Sequence, residues 1–217
     1  MASITVDDKN LAADHGDNLL QVCLANGIYI PNLCYLDGMD QPPASCRLCF
    51  VEVEGLDAPV AACRVAVRDG MVVTTGSNSV RRLQRAALHL LLSAHDVDCR
   101  NCPANRNCAL QEMAKFLKVA LKAKHLDRFL KDTALDPAHP CLDYFPNRCV
   151  LCGRCVAVCK SVPGGGSLNV AWRGKDTVIA YHDPSGNTEG VCPECRRCEE
   201  VCPVGALVMR PEQSSGQ

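Results

Sequence analysis

Cys149-Val150-Leu151-Cys152-Gly153-Arg154-Cys155-Val156-Ala157-Val158-Cys159 and Cys192-Pro193-Glu194-Cys195-Arg196-Arg197-Cys198-Glu199-Glu200-Val201-Cys202 carry one spacing twice, C-x2-C-x2-C-x3-C. Three cysteines at this spacing wrap one side of a metal group, and the fourth points away along the following turn. The repeat marks two halves of one small domain. Between them lie Gly164-Gly165-Gly166 and the strand-like runs Leu168–Trp172 and Thr177–Tyr181, which read as an inserted hairpin. The glycines do not open a helix, so they read as a turn and not as a phosphate cradle.

Cysteine use then decides the class. The chain has 17 cysteines in 217 residues, a density shared by secreted disulfide scaffolds and metal proteins. Met1–Asn10 carries Asp7, Asp8 and Lys9 and lacks the apolar run of a leader peptide. Ala86–Ala94 is interrupted by His89 and is too short to span a bilayer. A cytoplasmic chain with thiols kept for metal is therefore expected. The odd cysteine count and the C-x-x-C pairs run against a disulfide framework. A net charge of −1 predicts no bulk attraction to nucleic acid or to an anionic membrane.

Four ligand sets follow. Soft thiolates suit iron–sulfur clusters. Cys34, Cys46, Cys49 and Cys63, spaced C-x11-C-x2-C-x13-C, suit one [2Fe–2S] cluster. His95, Cys99, Cys102 and Cys108, spaced H-x3-C-x2-C-x5-C, suit a [4Fe–4S] cluster whose fourth position takes an imidazole. Zinc is the alternative at both places, in a structural scaffold protein. In the repeat, the fourth cysteine of each run serves the other cluster. Cys149, Cys152, Cys155 and Cys202 thus hold one [4Fe–4S] cluster, and Cys192, Cys195, Cys198 and Cys159 hold the other. Cys23 and Cys141 are left over. Cys23 lies on the apolar face of a short helix and reads as core; Cys141 lies in a Pro-bounded loop and reads as a bystander. His15, His89, His125, His139 and His182 are scattered and read as surface residues. No nucleotide-binding glycine motif, flavin site or catalytic residue is visible.

The expected organisation is α+β. Residues 1–78 form the first domain. In it, Ser3–Val6 and Leu11–Ala13 make a hairpin about Asp7-Asp8-Lys9-Asn10, and Asp17 caps a helix carrying Leu20, Cys23 and Leu24 and closed by Gly27. Phe50, Val51 and Val53, interleaved with Glu52 and Glu54, and Met71–Thr74 are further strands. Residues 79–137 are helical. Val80, Leu83, Ala87, Leu90, Leu91 and Ala94 share one face opposite Arg81, Arg82 and Arg85. Leu110, Met113, Leu117 and Leu121 mark a second helix, with Lys115, Lys118 and Lys122 on its solvated side. Residues 138–210 hold the repeat, and 211–217 are a tail.

Pro31-Asn32-Leu33-Cys34-Tyr35, Ser45-Cys46-Arg47-Leu48-Cys49, His95 with its three cysteines, and Cys149–Cys155 resemble a known family over nearly the whole chain. The resemblance is to the N-terminal iron–sulfur region of the large NADH-dehydrogenase subunit of respiratory complex I. Iron-only hydrogenases and NAD-dependent formate dehydrogenases begin with the same module. It is most similar to the standalone U-type diaphorase subunit of NAD-linked nickel–iron hydrogenases. This implies a β-grasp [2Fe–2S] domain, a helical His/Cys3 cluster domain and a ferredoxin-like domain with two [4Fe–4S] clusters. It also implies an electron relay in a hetero-oligomer, between a flavin-bearing, NAD(P)H-oxidising iron–sulfur subunit and a second catalytic subunit such as a hydrogenase. A formate dehydrogenase or an electron-bifurcating complex is the alternative setting. Two positions depart from the family pattern. Arg196 stands where glycine is common, and Lys160 replaces a proline; both are expected to raise cluster potentials by adding positive charge.

Overall fold

Chain order begins with a two-residue turn that the strand pattern placed two residues too long. In the computed structural model, which describes residues 1–39, 41–122, 127–163, 165–183, 192 and 195–211, β1 (Ala2–Val6) runs straight into Asp7-Asp8 and returns as β2 (Lys9–Ala13), with Val6 facing Lys9. Asp7 and Asp8 have φ of 46° and 67°. Two positive φ values give the turn whose twist matches the flanking strands. Lys9 and Asn10 therefore belong to the second strand and not to the turn.

Contacts divide the chain into two compact units, Met1–Leu91 with Glu112–Ala123, and Leu92–Gln111 with Lys124–Gln217. The first unit is built on a five-stranded sheet. Its order is β2-β1-β5-β3-β4, with β3 at Phe50–Val53, β4 at Val60–Ala61 and β5 at Val72–Thr74. β5 lies parallel to β1 and antiparallel to β3. Helix α1 (Leu19–Ala25) packs over it, so that Ile4, Val6, Leu20, Cys23, Ile30, Val51 and Val73 share one core.

The helix cap differs by one residue from expectation. Asn18, not Asp17, accepts the amides of Leu20 and Gln21, while Asp17 turns back to the Asp14 amide at 2.9 Å. Asn18 also reaches outside its helix, where its Nδ2 donates to the Cys63 carbonyl at 2.8 Å. Asp cannot donate there, which is why the cap sits at the residue able to do both.

Helix α2 (Asn78–Ser93) supplies most of its length to this unit. Its buried face is Val80, Gln84, Ala87 and Leu88, whereas Leu90 is 73% exposed, against expectation. Leu90 lies off the stripe that the helix rotates toward the sheet. The buried Gln84 is satisfied: its Nε2 donates to the Phe50 carbonyl at 3.0 Å, and its Oε1 accepts from Arg81. Helix α3 (Ala109–Leu117) buries Leu110, Met113 and Leu117. It ends before Leu121, because Lys118 takes φ 55° and Arg85 donates to the Leu117 carbonyl at 2.9 Å. Lys115, Lys118 and Lys122 are exposed.

The second unit carries two small antiparallel pairs. β6 (Leu142–Tyr144) pairs with β9 (Leu207–Met209), a closure no local pattern announced. β7 (Leu168–Ala171) and β8 (Val178–Tyr181) form the expected hairpin. Trp172 leaves the strand at φ 61°, exposed to 81%. Helices α4 (Arg154–Lys160) and α5 (Arg197–Glu200) lie within the two cysteine runs, α4 carrying Cys155 and Cys159 and α5 carrying Cys198. Expectations for Gly164, His125 and the tail beyond residue 211 lie outside the described residues. Among the described residues, no helix is long and apolar enough to cross a membrane, and no disulfide joins any cysteines.

Candidate metal centres

The first set is assembled by loops around the sheet. Cys46 and Cys49 stand on either side of Arg47-Leu48, and Arg47 takes a φ of 53° that bends the backbone between them. Cys63 sits on a short 3-10 turn, Ala62–Arg64, tied to Cys49 by the Ala62 amide on its carbonyl at 2.9 Å. The Cys34 and Cys46 sulfurs stand 3.4 Å apart. All four cysteines are at most 4% exposed. Such crowding makes the thiols compete for protons. Hydrogen bonds from Cys46 and then Cys63 hold Cys34 down, and the same bonds, joined by burial, push Cys46 and Cys63 up. Four buried thiolates cannot coexist without cations among them. The amides of Leu48 and Leu33 also point at Cys46. Soft, buried sulfurs with backbone N–H donors are the donor set an iron–sulfur cluster needs.

The second set lies wholly in the second unit. Cys99 begins a 3-10 turn, Cys99–Asn101, and Cys102 closes it through its amide to the Cys99 carbonyl. Cys108 immediately precedes α3, and the amides of Leu110 and Gln111 at that helix N-terminus point at its sulfur. Its electrostatic neighbours are Cys102 and Cys99. His95 is 9% exposed. Burial lowers its pKa and keeps it neutral, against a hydrogen bond with the Arg148 backbone that acts the other way. Its Nδ1 is buried with no hydrogen-bond partner among the described residues. A buried imidazole nitrogen without a partner costs free energy unless something binds it, and neutral imidazole is the form that ligates metal. This set also fits.

The third and fourth sets come from the repeat. In the first run, Leu151 and Gly153 take φ of 51° and 76°, curling the chain so that the Leu151 amide donates to Cys149 Sγ at 3.3 Å. The Arg154 amide points at Cys152. Just before β9, the Ala206 amide donates to Cys202 Sγ at 3.3 Å. Cys155 feels Cys149, Cys152 and Cys202 as its nearest charges, and burial above all pushes it up. Cys198 likewise feels Cys159, Cys192 and Cys195, and rises to about 12, mainly by burial. Cys155 also feels Cys198, so the two groups adjoin. The Gly166 amide donates to Cys159 Sγ at 3.2 Å. A Cβ on Gly165 would lie 2.1 Å from the Cys159 carbonyl oxygen, so only glycine fits this turn.

The second and third sets also touch. Gly205, three residues past Cys202, has φ +65°, and a Cβ there would meet Ala104 Cβ at 2.8 Å and Cys102 Sγ at 3.5 Å. The Ala109 amide donates to the Pro203 carbonyl at 3.0 Å. Among the described residues, no three His, Cys, Asp or Glu side chains close on a point the size of one metal ion. Sulfurs around a multi-iron cluster stand farther apart than around a single ion.

Three side chains around the repeat escaped sequence reasoning. Tyr144 is 5% exposed; its Oη accepts the Ile179 amide at 3.2 Å and donates to the Cys149 sulfur. His139 is 3% exposed, not a surface residue. Burial, then the Arg210 charge, pushes its pKa down to about 4. Arg210 at the end of β9 clasps the linker over it, donating to Asp143 Oδ1 at 2.9 Å and to the carbonyls of Pro137, His139 and Leu142. Cys141 contributes its backbone here: its amide donates to His139 Nδ1 at 3.0 Å, and its charge is felt by Cys192. His89 is half-buried, while His15 and His182 are exposed as expected. Arg196 takes φ 47° at the position equivalent to Gly153, and it pairs with Glu199 at 2.9 Å, which offsets much of the charge expected at the cluster.

Comparisons with known proteins agree with this geometry. The family described as a 2Fe-2S iron-sulfur cluster binding domain matches residues 1–78. The NADH-ubiquinone oxidoreductase-G iron-sulfur binding region matches residues 84–120. The NADPH-Fe(3+) oxidoreductase alpha chain of Geobacter sulfurreducens is 34% identical over 100% of this chain and 25% of its own length. The NADP-reducing hydrogenase subunit HndD of Solidesulfovibrio fructosivorans is 34% identical over 96% of this chain and 36% of its own. The chain thus spans about a quarter to a third of these curated relatives. A chain in the crystal structure of an NAD+-reducing [NiFe]-hydrogenase in the H2-reduced state superimposes with a TM-score of 0.84, at 30% identity. The match covers 100% of this chain and 90% of that one. Cysteine spacing, fold and similarity along the whole of this chain converge: the chain belongs to the iron–sulfur electron-transfer family that links NADH-ubiquinone oxidoreductase-G with the NAD+-reducing [NiFe]-hydrogenase.

Proposed function

We propose that this chain relays single electrons inside a hetero-oligomeric, cytoplasmic NAD(P)-linked oxidoreductase of hydrogenase type. One partner is a flavin-bearing, NAD(P)H-oxidising iron–sulfur subunit, and the other is a second catalytic subunit, a hydrogenase. One observation supports the reading: in the second unit, one group of cysteines adjoins the next. Cys102 abuts the loop after Cys202, and Cys155 feels Cys198.

Cys34, Cys46, Cys49 and Cys63 would hold a [2Fe–2S] cluster in a β-grasp domain, residues 1–78. His95, Cys99, Cys102 and Cys108 would hold a [4Fe–4S] cluster in a helical domain, residues 79–137. Cys149, Cys152, Cys155 and Cys202 would hold a second, and Cys159, Cys192, Cys195 and Cys198 a third, in a ferredoxin-like domain, residues 138–210. Such clusters, when bound, supply one-electron carriers over roughly −700 to +450 mV. The chain's own part is to bury the sulfurs, aim backbone N–H groups at them and exclude water.

Metal analysis tests this. Chain prepared without oxygen should contain about 14 irons, matched by acid-labile sulfide, and should bleach with dithionite. Zinc, or iron sufficient for only one or two clusters, would overturn it. Affinity capture of the chain should bring down flavin and nickel.

A further inference from the structure

His139 sits outside every ligand set yet faces one. Its Nε2 lies 3.7 Å from Cys192 Sγ. Two partners decide which way that contact runs. The Cys141 amide can only donate, and it donates to His139 Nδ1 at 3.0 Å. Nδ1 must therefore be the bare nitrogen, and in a neutral imidazole the proton then sits on Nε2. The ring is held in place as well: Tyr181 packs edge-on at 4.7 Å between centroids, and the Arg210 clasp fixes the His139 carbonyl. This is a built N–H···S contact, with the tautomer set by the backbone.

We propose that His139 is a positioning residue that donates a hydrogen bond from Nε2 to Cys192 and raises the reduction potential of the cluster Cys192 holds. The proposal rests on Cys192 being a ligand, as argued above. The physical reason is charge. Reduction adds an electron to the cluster and its thiolates, and a donor aimed at a ligand sulfur stabilises the more negative state. Cys141 enters through its backbone, so its side chain can change without removing the lock. The donor is supplied from a linker outside both cysteine runs.

The experiment uses the full chain in its purified complex. His139→Phe keeps a ring against Tyr181 but removes the donor. His139→Gln places an amide N–H near the Nε2 position and keeps it. EPR-monitored redox titration of wild type and both variants reads each cluster separately, and iron content confirms loading. His139→Phe should lower the potential of one [4Fe–4S] cluster by up to a tenfold change in its equilibrium constant, about 59 mV for one electron, with the other clusters unmoved and His139→Gln near wild type. In wild type labelled with 15N-histidine, hyperfine spectroscopy of that reduced cluster should show a weak histidine coupling, lost in His139→Gln. Fully loaded variants with unchanged potentials would overturn the proposal and leave the ligand sets standing. Equal shifts in both variants would assign the effect to packing and also overturn it. If His139→Phe does not load, absence of the 15N coupling in wild type overturns it instead. A wild-type chain lacking the cluster at Cys192 would sink both this and the relay reading.

Discussion

At the scale of single residues, what holds a sulfur matters as much as the sulfur itself. Tyr144 has one proton to give and gives it to Cys149, because the Ile179 amide already occupies its oxygen. Tyr144→Phe removes only that donor. The cluster held by Cys149 should then fall in potential by about 20–60 mV, the equivalent of one ordinary hydrogen bond, in an EPR redox titration. Cys23 shows the opposite fate of a thiol. It is fully buried, and burial, then Asp7, pushes its pKa to about 11. A thiol raised in the fold lends stability that is complete below its ordinary value of 9.0 and is lost as pH climbs to about 11. Unfolding melts taken between those limits should show an alkaline decline of about 2–3 kcal/mol, flattened in Cys23→Ala. The cysteines proposed as ligands could be picked out because coordination spacing is written locally in the chain. Tyr144 and His139 could not, because β6 meets β9 only after more than sixty intervening residues, and no local pattern reports a partner so distant.

At the scale of elements, caps and turns decide whether the loops can present sulfur. Asn18 joins the start of α1 to the Cys63 carbonyl. Asn18→Ala should cost about 1–2 kcal/mol in a denaturant titration. Asn18→Asp should recover the cap share but not the bond to Cys63. The α1 cap was misplaced by one residue from sequence because Asp17 and Asn18 are both good caps, and only the distant carbonyl chooses between them. Arg196 offers the reverse case. A non-glycine residue at φ 47° is strained by about 1–2 kcal/mol. Arg196→Gly should therefore raise thermal stability of the loaded chain, partly offset by the lost Glu199 pair. The glycine expected from family resemblance thus has a conformational reason that becomes visible only with the backbone in hand. The α2 stripe was read correctly in its period but not in its phase, since Gln84 and Leu88, rather than Leu90, face the core.

At the scale of the molecule, the proposed exchange of fourth cysteines would make the two cubane sites interdependent. Cys202 shares its surroundings with the first run, and Cys159 with the second. Cys202→Ala should abolish or convert the EPR signal of the cluster bound by Cys149, Cys152 and Cys155, and leave the Cys192 cluster present. A loss confined to the Cys192 cluster would reverse the pairing. The pairing of Leu142 with Met209 has a consequence for biosynthesis. On a ribosome, the first run emerges some forty residues ahead of the cysteine that completes its cage. A half-made chain can offer only three sulfurs there, exposed to oxygen and to stray metals. With the cages paired as proposed, iron delivery to this region would have to wait until Cys202 has emerged, which makes maturation of these centres late.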